Sequence, residues 1–446
     1  IGDVPDAHTN PRRLLELVRE INRQVALSRR AVRERDDALR TRLQIASPNW
    51  LMSGTPSNAG GGGPGARPIP FVPPQDASTQ GGRAPGSAEP ELAKFTLPGL
   101  SSQSAPADQS RVSEEPKSVE VVILDTAPTR EDFARAWETW GSAHARLNGL
   151  IGTGGKLLDE NGNRRVHYAP YSNLLGVTDV DLEKHPYVMS DHGLFVAGIV
   201  NAIAPEANLH MAEVLNPYGV GTLHSIADGF KQALEIAAQR PGSRVLVNAS
   251  LVLNMPQSEA VLNDAKAYLA DVQSMTADDI KEMKGLLKLL VDLLQQSNVL
   301  VVAAAGNDST PELPHPGARF PAAFNNVVGV SALRDETQPA SYSNLADEPV
   351  DLGIATFGGA SDGDSADGAR GLIGLYIGTF PNGVPNSTGW ARWAGTSFAT
   401  PIITGVLAQL ATQGGPAASD PLKPLRDAYT AHTNTGVGEV FPVTQG

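Results

Sequence analysis

The sequence predicts an α/β fold: a doubly wound, mostly parallel sheet with helices on both faces. Three observations lead there. From about residue 118, apolar β-branched runs of strand length alternate with helical stretches. Polar residues with reactive side chains stand just after those runs, as Asp125 does after Val119–Leu124 and Asn307 after Asn298–Ala305, and open α/β sheets place their sites beyond the carboxyl ends of strands. Finally, 41% hydrophobic residues in a chain of 446 are enough to build a core.

Three regions separate by composition. Residues 1–45 carry a helix over 11–45, in which Leu14, Val18, Ile21, Val25, Val32 and Leu39 form an apolar stripe interrupted by Ser28 and Arg35. Ten Arg against five Asp/Glu give this stretch a local charge of +5. Two readings fit it: a solvated helix docking on its own protein, or a helix that binds a regulatory or partner protein. The stripe lacks the bulky aromatics of a membrane-surface helix. Residues 46–117 contain GTPSNAGGGGPGARPIPFVPPQ and read as a linker rich in Gly, Pro and Ser. Its GGGGPG is no phosphate loop, because no Lys-Ser/Thr follows; Gly154-Gly155-Lys156 fails the same test, with Leu150 and Leu157 at the flanking positions. Residues 118–446 form the α/β domain. Its expected elements are strands at Val119–Leu124, Arg244–Asn248, Asn298–Ala305 and Asn326–Ala332, and helices at Ala227–Arg240 and Thr400–Thr412. One or two further helices fall in Ala265–Gln296, with Leu286, Leu289, Leu290 and Leu293 at core spacing.

Composition removes several functions. A net charge of -13 argues against nucleic acid as partner. The absence of cysteine excludes a disulfide scaffold, a thiolate zinc site and a cysteine nucleophile. It fits a reducing bacterial cytoplasm and a secreted enzyme alike. No uncharged apolar run reaches the ~20 residues of a membrane span, and the opening IGDVPDAHTNPRR lacks the pattern of a signal peptide.

The sharpest local signal is Gly395-Thr396-Ser397-Phe398-Ala399-Thr400-Pro401, running into an apolar helix. A Ser at a helix start is either an N-cap or a nucleophile beside orphan N–H donors that can hold an oxyanion. Pro401 is expected in the first turn, where its missing N–H costs nothing. A serine nucleophile needs a base. Of nine His, His167 falls in an expected hairpin, His8 and His432 near the ends, and His315 in a Pro-rich loop. His192 differs, because Asp191-His192-Gly193-Leu194-Phe195-Val196-Ala197-Gly198 opens a helix of small and apolar residues. Asp125, at a strand end, suits the carboxylate that orients such an imidazole; alone it would read as a turn cap.

Together these residues resemble the subtilisin-like (subtilase) family. Asp125-Thr126, His192-Gly193 with Val196-Ala197-Gly198, Ala303-Ala304-Ala305-Gly306-Asn307 and Gly395–Pro401 match four family elements in the family's order, over roughly residues 118–415. The resemblance implies a subtilisin-like fold and a serine endopeptidase acting on polypeptides. Asp125, His192 and Ser397 would be its triad, with Asn307 donating to the oxyanion. It further implies that Ser250, Leu251 and Val252 form one substrate-pairing edge, Gly219 and Gly221 the second, and Ala304, Ala305 and Gly306 the far wall of the primary pocket. No cofactor is implied. Calcium is allowed by the resemblance, but no site is assignable: Val200–Ala204 lacks the calcium loop of many members, and Asp159–Asn163 has Pro170 where a calcium loop needs Glu. Other departures are Thr126-Ala127-Pro128 after the Asp, Leu194-Phe195 after His-Gly, and Val252-Leu253 where a Gly pair is usual. Two alternatives remain: an inactive binding protein on the same fold, and an acid peptidase of the sedolisin type, which has Glu where this chain has His192. Gly359-Ala360-Ser361-Asp362-Gly363 spells an esterase elbow, but no helix pattern follows it.

Overall fold

The computed structural model describes residues 51–54, 67–71, 94–96 and 118–446, apart from 142–143, 153–156, 158–164, 171–187, 254–283, 312, 336, 347–352, 363–364, 367–370, 414–421, 423–424, 426–432, 435–437, 442–443 and 446. The expected helix over 11–45, the Asp159–Asn163 turn and most of 46–117 lie outside the described residues. The chain divides into two compact units, residues 1–51 with 254–290 and residues 52–253 with 291–446. The site lies in the second.

In chain order the strands are β1 (Leu51–Gly54), β2 (Ile69–Pro70), β3 (Phe95–Thr96), β4 (Val119–Asp125), β5 (Val166–His167), β6 (Asn208–Glu213), β7 (Val220–Thr222), β8 (Arg244–Ala249), β9 (Leu251–Leu253), β10 (Val299–Ala304), β11 (Val328–Leu333), β12 (Ile354–Phe357), β13 (Ser361–Asp362), β14 (Ser365–Ala366), β15 (Leu372–Leu375), β16 (Trp390–Trp393), β17 (Thr433–Asn434), β18 (Gly438–Phe441) and β19 (Thr444–Gln445). The described helices are α1 (Arg130–Trp140), α2 (Ala145–Ile151), α3 (His192–Ile203), α4 (Leu223–Gln239), α5 (Gly285–Gln296) and α6 (Thr396–Thr412).

The main sheet runs β17-β18-β12-β11-β10-β8-β4-β6-β5, and every pairing in it is parallel except β17 with β18. From β4 the chain moves to β5 and β6 on one side and then crosses to β8 on the other. β4 is therefore the switch point where strand order reverses, and a crevice opens at its carboxyl end. The register keeps three strand ends level: Leu124 pairs with Ala249, and Ala249 with Ala303.

Both faces of the sheet are covered, as buried parallel strands require. Val119, Val121 and Ile123 point into the core that contains α3 and α6. Leu124 points the other way, onto α4, where it lies against Gly229. The buried face of α5 is Leu287, Val291 and Leu294, while Leu289 and Leu293 are exposed. This corrects the expected Leu286/Leu289/Leu290/Leu293 face. With Leu at six of its twelve positions, in adjacent pairs, periodicity alone does not choose a face, and packing selects the neighbouring stripe. His167 likewise lies in the parallel edge strand β5, paired with β6, and not in a hairpin. The Gly359–Gly363 elbow spelling leads into the antiparallel pair β13–β14.

Short pieces of 46–117 pair with the domain. β1 pairs with β9, β2 with β16, and β3 with β19. The Gln445 side-chain amide donates to the Ile373 carbonyl at 2.7 Å and accepts from the Ile373 N–H at 2.6 Å, closing the edge of β15.

At the end of β4 away from Asp125, Glu120 is fully buried and joins four groups. It accepts from Ser118 Oγ at 2.6 Å, Asn208 Nδ2 at 3.0 Å and Arg240 at 2.6 Å, and meets His210 Nε2 at 2.8 Å. Burial alone would raise its pKa, but the four partners outweigh that and hold it at about 2. This cluster ties β4 to β6 and to the residue after α4. Removing one side of a buried ion pair costs about 3–5 kcal/mol, so Glu120→Ala should lower the unfolding free energy by that order in urea titrations at pH 7. Because the folded pKa is depressed, the wild-type contribution is complete above about pH 4.3 and is lost as pH falls towards 2. The gap between wild type and variant should therefore close under acid.

Candidate active site

Asp125 is the last residue of β4, and His192 is the first of α3. Both are buried, and His192 Nδ1 lies 2.7 Å from Asp125 Oδ1. The Thr126 N–H donates to the same oxygen at 2.7 Å. The Thr126 hydroxyl donates to the Met189 carbonyl at 2.9 Å and accepts from the Gly193 N–H at 3.2 Å, stapling strand end to helix start. The altered turn Thr126-Ala127-Pro128 thus keeps the junction closed. Gly193 is required for it, because a Cβ there would lie 2.1 Å from the Thr126 carbonyl oxygen.

Two aromatics pack against the His192 ring, and a third supports them. Trp393 meets it edge-on at 5.4 Å and Phe398 at 5.2 Å; Phe195 in turn packs on both, at 5.7 and 4.7 Å. The Leu194-Phe195 departure is therefore part of the packing around the imidazole. Trp393 carried no signal in the sequence, since its strand pairs with β15 and contacts α3 only in three dimensions.

Asp191 stands at the N-cap of α3 without capping it. Its carboxylate instead accepts from the Gly378 N–H at 2.6 Å and the Ile377 N–H at 3.2 Å, binding the loop after β15 to the start of α3. Burial pushes its carboxyl up to about 7, against the lowering effect of those two donors.

Ser397 is the second residue of α6, which begins at Thr396 and so earlier than the expected Thr400. Pro401 is consequently inside the helix and not in its first turn. Its missing N–H is the one that would bond the carbonyl four residues back, that of Ser397. That carbonyl accepts from the Ser250 hydroxyl at 2.8 Å instead. Ser250 Oγ itself accepts from Asn248 Nδ2 at 2.9 Å, and Asn248 Oδ1 accepts from the Thr404 hydroxyl at 2.9 Å. The Ser250 side chain is thus a support beneath Ser397, and its backbone continues into β9.

Asn307 follows β10 on a turn in which Gly306 has φ +113°. Its Oδ1 accepts from the Thr396 N–H at 3.0 Å and the Thr396 hydroxyl at 2.9 Å. Its Nδ2 is buried with no partner among the described residues. An anchored amide with an unused buried donor is held ready for an incoming acceptor. Asn344 and Arg319 hold the loop: Asp308 N–H donates to Asn344 Oδ1 at 2.7 Å, Asn344 Nδ2 to Asp308 Oδ2 at 2.8 Å, and Arg319 Nε to Asp308 Oδ2 at 2.6 Å. Neither residue was visible from the local motif.

Ala304 ends β10, and Ala305 and Gly306 follow it. Gly219 sits in a turn at φ +74°, where Asn216 Oδ1 accepts from the Tyr218 and Val220 N–H groups at 2.9 and 3.0 Å. Gly221 lies in β7, where a Cβ would meet the Val214 carbonyl at 2.5 Å. Leu251 and Val252 lie in β9. No group of three or more His, Asp or Glu among the described residues is placed to hold a metal ion.

Gly193→Ala should force the start of α3 away from β4. A buried His–Asp hydrogen bond gives a far-downfield imidazole proton resonance, and this resonance should be lost in the variant while the far-ultraviolet circular dichroism persists. For Asp191 the folded pKa is raised, so its contribution to stability is present below about pH 4 and is lost as pH rises towards 7. Between pH 5 and 8 the Tm of wild type should therefore fall relative to that of Asp191→Asn.

The sequence model of the subtilase family matches residues 157–425. The intracellular serine protease of Paenibacillus polymyxa is 28% identical over 251 residues, covering 52% of this chain and 57% of the relative. The M-protease of Shouchella clausii (strain KSM-K16) is 27% identical over 355 residues, covering 77% and 76%. Minor extracellular protease Epr of Bacillus subtilis (strain 168) is 31% identical over 168 residues, covering 35% of this chain and 20% of the relative. The chain spans 20% to 64% of the length of the first three curated relatives that it matches. A solved lanthipeptide protease is matched with a TM-score of 0.48 at 16% identity, over 74% of this chain and 86% of that one. With its family model matched over more than half of its length, this chain belongs to the subtilase family.

Proposed function

We propose that the chain is a serine endopeptidase that hydrolyses polypeptides through an acyl-enzyme on Ser397. His192 takes the hydroxyl proton as the Ser397 oxygen attacks the peptide carbonyl, then returns it to the leaving amine. Asp125 orients the imidazole and stabilises its protonated form. Asn307 Nδ2 and the Ser397 N–H receive the oxyanion. An extended substrate adds a strand between β7 and β9, with Gly219 and Gly221 on one edge and Leu251 and Val252 on the other. Ala304, Ala305 and Gly306 form the far wall of the pocket, and Val252 in place of Gly narrows its lip.

The observation that carries this reading is the pairing of a 2.7 Å His192–Asp125 contact with the partnerless Asn307 Nδ2. A structural His–Asp pair explains the first but leaves the second as an uncompensated cost of about 1–3 kcal/mol. A role at an oxyanion explains both. No such site needs a cofactor, and calcium would serve stability only.

A serine-directed peptidyl phosphonate should label Ser397 alone, and Ser397→Ala should lower turnover on a peptide library by about 10⁶. Asn307→Ala should lower kcat by about 10²–10³ with KM nearly unchanged. The rate should rise with pH through about 6–7, as a His base requires; an optimum near pH 3–4 would favour an acid peptidase instead. An intact Ser397 that never labels would leave the inactive binding fold as the better reading.

A further inference from the structure

We propose that Asn344 is a positioning residue for peptide hydrolysis: it bonds the residues on either side of Asn307 and so aims Asn307 Nδ2 at the point where the oxyanion forms. The proposal rests on the peptidase reading of the site and deepens it by one residue.

Asn344 is buried in the loop between β11 and β12. Its backbone N–H donates to the Gly306 carbonyl at 3.0 Å, and its Oδ1 accepts from the Asp308 N–H at 2.7 Å. It thus reaches the residue before Asn307 and the residue after it, and both bonds are to backbone. Its Nδ2 donates to Asp308 Oδ2 at 2.8 Å and to the Gly317 carbonyl at 3.1 Å. A side-chain amide offers an acceptor oxygen and two donor hydrogens, and here each of them is used. The fit is close: a Cβ on Gly306 would lie 2.9 Å from Asn344 Nδ2.

Asn307 is thereby fixed at two points. Asn344 sets its backbone, and Thr396 holds its Oδ1 through two bonds. With backbone and oxygen both set, the planar amide leaves its nitrogen one direction. That nitrogen is the buried donor with no partner among the described residues. Loss of the backbone anchor lets the amide shift, and a misplacement of about 1 Å can cost on the order of 10² in rate.

Asn344 is itself held. The Ser343 hydroxyl accepts from the Ala332 N–H at 2.9 Å and donates to the Asn344 carbonyl at 2.8 Å. The Tyr342 carbonyl accepts from the Ser309 N–H at 3.1 Å, so the same loop also grips the residue after Asp308. The Tyr342 hydroxyl lies 2.8 and 2.7 Å from the Gly358 and Gly359 carbonyls. The Gly358 carbonyl also accepts from the N–H of Gly395, the N-cap of α6, at 2.9 Å. One tripeptide, Tyr342-Ser343-Asn344, therefore ties the turn that carries Asn307 to β11 and to the start of the helix that carries Ser397.

The test is a double-mutant cycle on the full chain, read as kcat and KM on a library peptide that wild type cleaves. Asn344→Ala should lower kcat about tenfold with KM nearly unchanged, a loss smaller than that of Asn307→Ala. In the Asn307→Ala background the same change should alter kcat by less than about twofold, because the donor that it aims is gone. A loop support with no bearing on the oxyanion would instead lower kcat equally in both backgrounds, and that result, or an unchanged kcat in Asn344→Ala, would overturn the proposal. A second pair of variants serves if Asn344→Ala does not fold. Asn344→Asp sets two carboxylates side by side and should also lose kcat. Adding Asp308→Asn restores a donor and an acceptor with their direction reversed, and should return kcat to within about threefold of wild type. A folded double variant that stays as slow as Asn344→Asp would overturn the proposal and leave the peptidase reading intact. Wild type that cleaves no peptide and does not react with a peptidyl phosphonate at Ser397 would overturn the peptidase reading and this proposal with it.

Discussion

The contact on which the site depends is the close approach of the first turn of α3 to the end of β4. At Gly193 the backbones are too near for a Cβ, and the Thr126 hydroxyl bridges them. That closeness brings a side chain at a helix start within 2.7 Å of one at a strand end. The rest of the surroundings preserves it. Asp191 ties the same turn to the loop at Ile377–Gly378, and Trp393 and Phe398, backed by Phe195, pack against the ring.

The second half of the site is built on α6, by a similar economy of backbone groups. Pro401 removes the helical partner of one carbonyl, that of Ser397, and the Ser250 hydroxyl takes its place. Thr396 gives both its N–H and its hydroxyl to Asn307. The Ser397 carbonyl and the neighbouring Thr396 thereby connect the start of α6 to Ser250, just after β8, and to Asn307, after β10. Since β4, β8 and β10 end level with one another, three strand ends and two helix starts meet at one crevice. A parallel sheet provides this convergence because all its carboxyl ends face the same side.

The residues between the N-terminal region and the domain are more than a connection. Their described pieces add strands to the cleft, to β16 and to β19. None of these pieces announces a strand by pattern: LMSG, IP and FT are too short to show a period of two. They gain their conformation from unpaired edges that the domain presents.

Taken alone, the sequence determined the alternation of strands and helices, the positions after β4 and β10, and the four elements that carry Asp125, His192, Asn307 and Ser397. The strand ends and helix starts were legible because they depend on local physics, β-branched runs and a Ser beside a helix start, whereas the four elements were singled out by their resemblance, in residues and order, to the subtilase family. Tertiary structure decided what local pattern leaves open. It selected Leu287, Val291 and Leu294 as the buried face of α5, where leucines on several faces made periodicity ambiguous. It moved the start of α6 to Thr396, because Asn307, distant in sequence, caps the turn that Gly395 and Thr396 could not close alone. It recruited Trp393, Arg319 and Asn344, whose roles arise from tertiary contacts with His192 and Asp308 that no local motif carries. And it laid Met52–Gly54 between β7 and β9, since strand pairing is decided by which edge lies open and not by the residues that fill it.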